Sequence, residues 1–339
     1  MNFQCSEDIT AAGLAELKGL NELRSLGCLS LDAAGLNTIK DFSNLECLRA
    51  GVDAIADLSV LKSVKSLDIS VSGTAGDKAG KVRLPPNLRS LELSRKTLVK
   101  LDFQSSPHIE RVSLSLLPTR RYDEKTDRFY EPVDFAWLKG LSELKELVLR
   151  EAVDEDMAAV AKFASPRAVT VIGGTCEQVA IGDAGIKAIA QMKHLESLRI
   201  VNGWGITDSG IGSLADLPGL RRLELWNFST KLTADGLAAV WQLKQLRTLA
   251  FASFDSEADK GFIARLKGLA ELEELTFSGR VTDEELKNLA ALKKLRRLDL
   301  THAGGFTDVG VIWLLTALPN LETLKITIRY EPPKEHWEK

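Results

Sequence analysis

The residues of this chain that could form a metal site or a nucleophile are few. Among its four cysteines, Cys28 and Cys47 stand at the same position of two consecutive sequence repeats, which predicts that they stack on neighbouring strands. Such a pair is half of a metal site or a redox pair, but it also arises often by accident between parallel neighbours. No further cysteine and no histidine has a matching spacing, and the four histidines are scattered: His108, His194, His302 and His336. We therefore predict a protein without enzymatic activity, metal or cofactor.

Residues suited to binding another protein are more prominent. Arg222, Glu224 and Trp226 alternate along one apolar segment, and tryptophan and arginine are the residues most enriched at the energetic centres of protein interfaces. A loop over residues 118–135 interleaves aromatic residues with arginines, among them Arg120, Arg121, Tyr122, Arg128, Phe129 and Tyr130. This composition suits recognition of a protein, and it equally suits a loop that folds against its own domain.

These side chains belong to a pattern, L-x-x-L-x-L, that recurs about thirteen times at intervals of 19 to 35 residues. A fixed period of this kind indicates a solenoid, in which each repeat packs on its neighbours. The alternation predicts one short strand per repeat, with leucines in the core and the third, fifth and seventh positions on the opposite face. The six most regular copies begin at Leu195, Leu220, Leu246, Leu272, Leu295 and Leu321.

The second half of each clear repeat predicts a helix that begins at a Thr-Asp pair. Thr282 is a natural N-cap, and Glu285 three residues later completes a capping box. Asp208, Asp283 and Asp308 place negative charge at the positive end of a helix. The early copies that begin at residues 26, 45 and 64 are only 19 residues apart, so we predict extended or 3₁₀ connections there.

On these motifs the chain resembles leucine-rich-repeat (LRR) proteins over essentially its full length. The later repeats, with their I-T-D-x-G-L start, resemble the ribonuclease-inhibitor-like and cysteine-containing subclasses, and the early ones resemble the shorter bacterial or SDS22-like type. The resemblance implies a curved α/β solenoid with a parallel concave sheet of about 13 strands and helical, 3₁₀ or extended segments on the convex side. One departure is that the family's Asn or Cys, three residues after the last strand leucine, is replaced by residues such as Ala152 and Gly203. The inner turns must therefore be satisfied by other groups.

The predicted concave positions carry balanced charge, which argues against a nucleic-acid groove. Their acidic residues are Asp32, Asp68, Glu92, Glu146, Glu224, Glu274 and Asp299, and their basic residues are Arg49, Arg111, Arg150, Arg199, Arg222, Arg297 and Lys325. Trp226 is expected to be exposed, whereas Trp204 either packs into its turn or contributes to binding. The predicted partner-binding residues are Arg150, Arg199, Arg222, Glu224, Trp226, Arg297 and Asp299, with Arg121, Tyr122, Phe129 and Tyr130 of the loop.

Composition and the distribution of apolar residues predict the domain organisation and the compartment. The net charge is −3, and 45% of the residues are hydrophobic, as in an ordinary globular domain. We predict one solenoid domain over residues 1–330, with inserted loops at about 71–87 and 118–135, and a C-terminal tail over residues 331–339. The N-terminus has no basic segment followed by an apolar one, and no run reaches about 18 apolar residues, so a cytoplasmic protein without a membrane span is expected.

The leading functional hypothesis is a non-enzymatic module, bacterial in the style of its repeats, that binds a protein through the concave face and the 118–135 loop. A secreted effector or a toxin-immunity-type inhibitor would use the same face. A second class is a self-associating scaffold, because Ile326, Ile328 and Tyr330 alternate beside an open strand edge at which two copies could form a dimer. A third class is a small ligand held on the solenoid.

Overall fold

The computed structural model divides the chain into two compact units, Met1–Val171 and Ile172–Lys339. The single domain over residues 1–330, its tail and its inserted loops remain predictions. The described residues are 2–4, 11–20, 22–53, 57–72, 81–94, 101–116, 133–163, 166–174, 181–228, 232–233, 235–253, 261–301 and 303–326.

The first unit contains a parallel sheet in which the strands follow the order β1-β2-β3-β4-β6-β8-β9-β10, and β5 and β7 form a second, two-stranded parallel sheet. The strands are β1 Asn2–Gln4, β2 Ser25–Leu31, β3 Cys47–Asp53, β4 Ser66–Ser72, β5 Val82–Arg83, β6 Ser90–Ser94, β7 Leu101–Asp102, β8 Arg111–Ser115, β9 Glu146–Arg150 and β10 Ala168–Ile172. The helices are α1 Ala11–Ala15, α2 Ala33–Ile39 and α3 Asp154–Phe163, with 3₁₀ turns at Glu16–Gly19, Leu58–Val60, Phe103–Ser105 and Ala136–Gly140.

The second unit repeats one strand and one helical segment along a parallel sheet in simple sequence order. Its strands are β11 Ser197–Val201, β12 Arg222–Phe228, β13 Thr248–Ser253, β14 Glu274–Ser278, β15 Arg297–Leu300 and β16 Thr323–Ile326. Its helices are α4 Asp183–Ile189, α5 Asp208–Gly212, α6 Phe262–Arg265, α7 Asp283–Asn288 and α8 Asp308–Ala317, with 3₁₀ turns at Ser213–Asp216, Gly236–Gln242, Leu266–Gly268 and Leu289–Ala291.

The core of each repeat is built by the leucine pattern. In β12, Leu223 and Leu225 are completely buried, and so are Leu220 before the strand and Ile211 on the helical side. The register pairs Leu223 with Leu198 and with Leu249, so equivalent leucines stack from strand to strand. One strand per repeat in parallel register confirms the predicted LRR fold class.

The first leucine repeat, which contains β2, is shifted by three residues from its predicted position. Leu26 pairs with Leu48, and Ser25 with Cys47, so the first repeat begins at Leu23 rather than at Leu26. The distance from Leu23 to Leu45 is 22 residues, which leaves room for the seven residues of α2, and the prediction of a non-helical connection there was wrong. The next connection, from 45 to 64, has the predicted 3₁₀ turn.

The Thr-Asp pairs connect consecutive repeats as well as beginning helices. Thr282 and Glu285 form the predicted capping box. In addition, the Asp208 carboxylate accepts hydrogen bonds from the backbone N–H of Thr233 at 2.8 Å and from its hydroxyl at 2.7 Å. The same pair of bonds joins Thr207 to Asp183, and Thr307 to Asp283. Each such aspartate therefore holds the beginning of the helical segment in the next repeat.

Candidate functional site

The side of the sheet turned away from the leucine core is named the open face, and in the second unit its side chains form three rows. Strand alternation places every second residue there, and the register aligns these residues from strand to strand. The first row is Ser197, Arg222, Thr248, Glu274, Arg297 and Thr323; the second is Arg199, Glu224, Ala250, Thr276, Asp299 and Lys325; and the third begins with Val201, Trp226, Ala252 and Ser278.

Three of the predicted binding residues converge on the carboxylate of a fourth, Glu224. Glu224 lies directly opposite Arg199 in the strand register, with Arg222 and Trp226 two residues away on the same face of β12. Arg222 Nε donates to Glu224 Oε1 at 2.6 Å, and Trp226 Nε1 donates to Oε2 at 3.2 Å. Arg199 Nε lies 3.4 Å from Oε2. We call these four residues the Glu224 cluster.

Burial separates the roles within the Glu224 cluster. The Glu224 side chain is only 10% exposed, whereas those of Arg199 and Arg222 are 51% and 49% exposed. A carboxylate at this depth needs hydrogen bonds, and its own neighbours supply them. Glu224 therefore holds the two guanidinium groups and the indole in place, and the arginines carry the surface that another molecule can touch.

An asparagine ladder fixes the chain directly after these strands. Asn202 and Asn227 have left-handed backbone, with φ of 60° and 57°, which asparagine tolerates better than most residues. Asn227 Nδ2 donates to Asn202 Oδ1 at 3.0 Å, and Asn202 Nδ2 donates to the Gly173 carbonyl at 3.2 Å. The Asn202 amide thus satisfies one inner-turn carbonyl, that of Gly173. The sequence itself indicates this ladder, because asparagine occupies the same position in two neighbouring repeats, at 202 and 227.

The other predicted residues lie apart from the Glu224 cluster. Arg297 is bonded to Glu274, and Asp299 pairs with Lys325 at 3.8 Å and accepts from Thr301. In the first unit Arg150 lies 3.8 Å from Glu92. The loop residues Arg121, Tyr122, Phe129 and Tyr130 lie outside the described residues, so the proposed contribution of the 118–135 loop to binding stays a prediction.

Two aspects of the sequence-based map of the concave face change. Asp32, assigned to that face, instead caps α2 by accepting from the Gly35 N–H at 2.7 Å. The Trp204 indole nitrogen is buried and has no partner among the described residues, which favours packing in the turn over direct contact with another protein.

The strand register does not align the two cysteines of the predicted pair. The register places Cys28 opposite Ala50 and Ser25 opposite Cys47, so the two cysteines occupy different positions of their repeats. His108 Nδ1 lies 2.6 Å from Glu143 in a network that also contains Arg89 and Glu110, and the His108 hydrogen bond lowers the pKa of Glu143. In the part of the chain that the structure describes, no group of three His, Cys, Asp or Glu side chains could hold a metal ion.

A cavity of about 440 Å³ lies beside the starts of the last strands and is lined by Glu273, Lys293, Lys294, Arg296, Asn320 and Glu322. Arg296 is bonded to Glu322 at 2.5 Å, and Lys294 to Glu271 at 2.7 Å. Asn320 donates to the Lys293 carbonyl. Such a surface is held by its own ion pairs, and it gives the small-ligand hypothesis no support. Among the described helices none is long and apolar enough to cross a membrane.

No protein-family model matches the chain, and no curated protein matches it. Solved structures of similar fold include an internalin, InlF, from Listeria monocytogenes, with 18% identity, a TM-score of 0.45, and coverage of 94% of this chain and 89% of the internalin. Internalin C2 from the same organism has 19% identity, a TM-score of 0.41, and coverage of 67% and 84%. TLR13, solved as a complex with ssRNA13, has 15% identity and a TM-score of 0.48 over 92% of this chain and 54% of that one. Likenesses at this level carry no functional argument.

Proposed function

We propose that this chain is a non-enzymatic module that binds a protein partner through the open face of its second unit, centred on the Glu224 cluster. The observation that carries the proposal is the arrangement of Arg199, Arg222 and Trp226 around one buried carboxylate. Side chains held in this way lose little conformational freedom on binding, and arginine and tryptophan dominate the energy of protein interfaces.

The setting of this activity is part of the proposal. A cytoplasmic bacterial scaffold, a secreted effector and a toxin-immunity-type inhibitor would all use the same face. Over β14–β16 the open-face charges of Glu274, Arg297, Asp299 and Lys325 cancel in pairs. An inhibitor that blocks a strongly charged enzyme would need a bias of charge, so the balanced pairs favour the scaffold or the effector.

Affinity capture with matched variants tests the proposal. The wild type, Arg222→Ala/Trp226→Ala and Arg247→Ala are used as baits in the same lysate. Arg247 is the control because its side chain is 51% exposed, as that of Arg199 is, but pairs with Glu273 outside the Glu224 cluster. The proposal expects one partner that is retained by Arg247→Ala and lost with the double variant. Equal recovery of every partner by all three baits would refute it.

Self-association is a second candidate. Ile328 and Tyr330 of the strand edge predicted for it lie outside the described residues, and the observation that favours it is the composition of α8. This helix has one charged residue, Asp308, and a helix that is apolar on all sides is typical of a buried position. Val309, Ile312 and Leu315 are nevertheless 73%, 64% and 50% exposed. In α7 the positions equivalent to Val309 and Ile312 hold the ion pair of Glu284 with Lys287.

The mass in solution tests the second candidate. Multi-angle light scattering across a concentration series is expected to show a dimer for the wild type and a monomer for Ile312→Glu. Lys287→Ala, at the equivalent position of the preceding repeat, is expected to leave the dimer intact. A wild type that stays monomeric at every concentration would exclude this candidate and leave the open-face proposal untouched.

A further inference from the structure

We infer that the partner's anchor on the Glu224 cluster is a carboxylate side chain followed two residues later by an apolar side chain, in an extended acidic segment of a protein. The inference rests on the proposed function, because it assumes that this part of the open face binds a protein. It adds the chemistry of the segment that is bound.

The charge that the Glu224 cluster presents to a partner is positive. Both oxygens of Glu224 are occupied by its neighbours: Arg222 donates to Oε1, and Trp226 donates to Oε2, with Arg199 3.4 Å away. Because the Glu224 side chain is only 10% exposed and its oxygens are already surrounded by these three groups, little of the carboxylate is open to a partner's lysine or arginine. What remains accessible is about half of each arginine side chain, and the Glu224 cluster as a whole carries one positive charge.

The strands that follow β12 in the second unit do not compensate this charge. Across β13 the open face has Thr248, Ala250 and Ala252, none of which is ionised. Beyond it, Glu274 is bonded to Arg297, and Asp299 pairs with Lys325. The surplus positive charge of the described open face in the second unit is therefore localised at β11 and β12.

An apolar surface lies beside the two arginines of the Glu224 cluster. The register aligns Val201, Trp226 and Ala252 in one row, with Ala250 next to Glu224. Because the indole N–H is turned towards Glu224, the rest of the Trp226 ring offers hydrocarbon. The alanines are small, so the surface is lower beside the ring, and an apolar side chain can contact the ring from there.

The spacing of the rows gives the spacing on the partner. Arg199 and Glu224 lie in the second row, and Val201 and Trp226 lie in the third row, two residues further along each strand. Two residues of a strand span about 7 Å. An extended segment with its carboxylate at one position and an apolar residue two positions away matches this distance and presents both side chains on the same side.

The size of the charge favours a carboxylate over a phosphate. One carboxylate neutralises the single surplus charge of the Glu224 cluster. A phosphate group carries about −1.5 to −2 at neutral pH, and it would leave excess negative charge close to the buried Glu224. Arginine binds both groups in its planar fork, so the net charge is what separates them.

Selection from a displayed library of random 12-residue peptides against the full chain tests the inference. We expect the enriched peptides to share an Asp or Glu two residues from an aromatic or aliphatic residue. In fluorescence polarisation with one such peptide, Arg222→Ala and the acid-to-amide change in the peptide should each weaken binding by about tenfold or more. When the protein variant and the altered peptide are combined, the fold-loss of affinity should be smaller than the product of the two separate fold-losses.

The controls separate the failure of the inference from the failure of the proposed function. Arg247→Ala should bind as the wild type does, and near-ultraviolet circular dichroism checks that each variant is folded. Peptides that lose binding to Trp226→Ala but need no acidic residue, or that bind more tightly with phosphoserine in place of the acid, would overturn the inference and keep the proposed function. Peptides that bind equally to Trp226→Ala, Arg199→Ala and Arg222→Ala would overturn both.

Discussion

Replacing Asp208 with alanine removes one link between consecutive repeats. The Asp208 carboxylate is half-buried and accepts two hydrogen bonds from Thr233, at 2.8 Å from the backbone N–H and at 2.7 Å from the hydroxyl. Hydrogen bonds to a charged group each contribute about 1.5–3 kcal/mol. The two bonds share one donor residue and are therefore not independent, so we expect Asp208→Ala to lower the free energy of unfolding by about 2–4 kcal/mol.

Asp308 provides a matched control within the same protein. It stands at the same position of its helix, after Thr307, but accepts no hydrogen bond from any residue within 303–326 or the other described ranges. Asp308→Ala should therefore lose only the attraction of the charge to the helix N-terminus, about 0.3–1 kcal/mol. Urea unfolding followed by circular dichroism compares the midpoints, provided that the slopes agree. Equal shifts in the two variants would refute the role of the Asp–Thr link.

Three further outcomes follow from the same structure. Leu223→Ala, in a completely buried position, should cost about 2–5 kcal/mol of stability in denaturant unfolding, whereas Arg222→Ala/Trp226→Ala should keep the native circular dichroism spectrum. Hydrogen bonds from Thr307 lower the pKa of Asp283 below 3.8, so its contribution to stability is present above that value and is lost as the pH falls through the folded-state pKa. The difference in urea midpoint between the wild type and Asp283→Asn should therefore shrink as the pH is lowered from about 7 to below the folded-state pKa; an unchanged difference would contradict this reasoning.

The repeat fold was predictable because the leucines recur at a regular interval, whichever residues lie between them. Thr282 and Glu285 form the predicted capping box because this interaction is local. The register of β2 was not predictable by period alone: the full pattern fits at Leu26, Leu29 and Leu31, whereas the observed frame begins at Leu23 and has Cys28 in the last place. The pairing of Leu26 with Leu48 selects the observed frame, and this depends on contacts across the sheet.

The members of the Glu224 cluster were predictable, but their division of roles was not. Strand alternation and the spacing of the repeats bring Arg199, Arg222, Glu224 and Trp226 onto one face. Which of them is buried depends on how long side chains on two strands arrange around one another. The sequence treats Glu224 as a binding residue equal to the arginines, whereas its 10% exposure makes it the group that positions them.

We propose that a partner binds at the open face of β11 and β12, and site-specific photo-crosslinking locates the bound partner on the protein directly. A photoreactive amino acid is introduced at Ser197, in the first row of the open face, and separately at Lys244, an exposed position before β13. We expect the captured partner to crosslink from position 197 and not from position 244. A partner that crosslinks from 244 alone, or that binds without crosslinking from 197, would contradict the proposal.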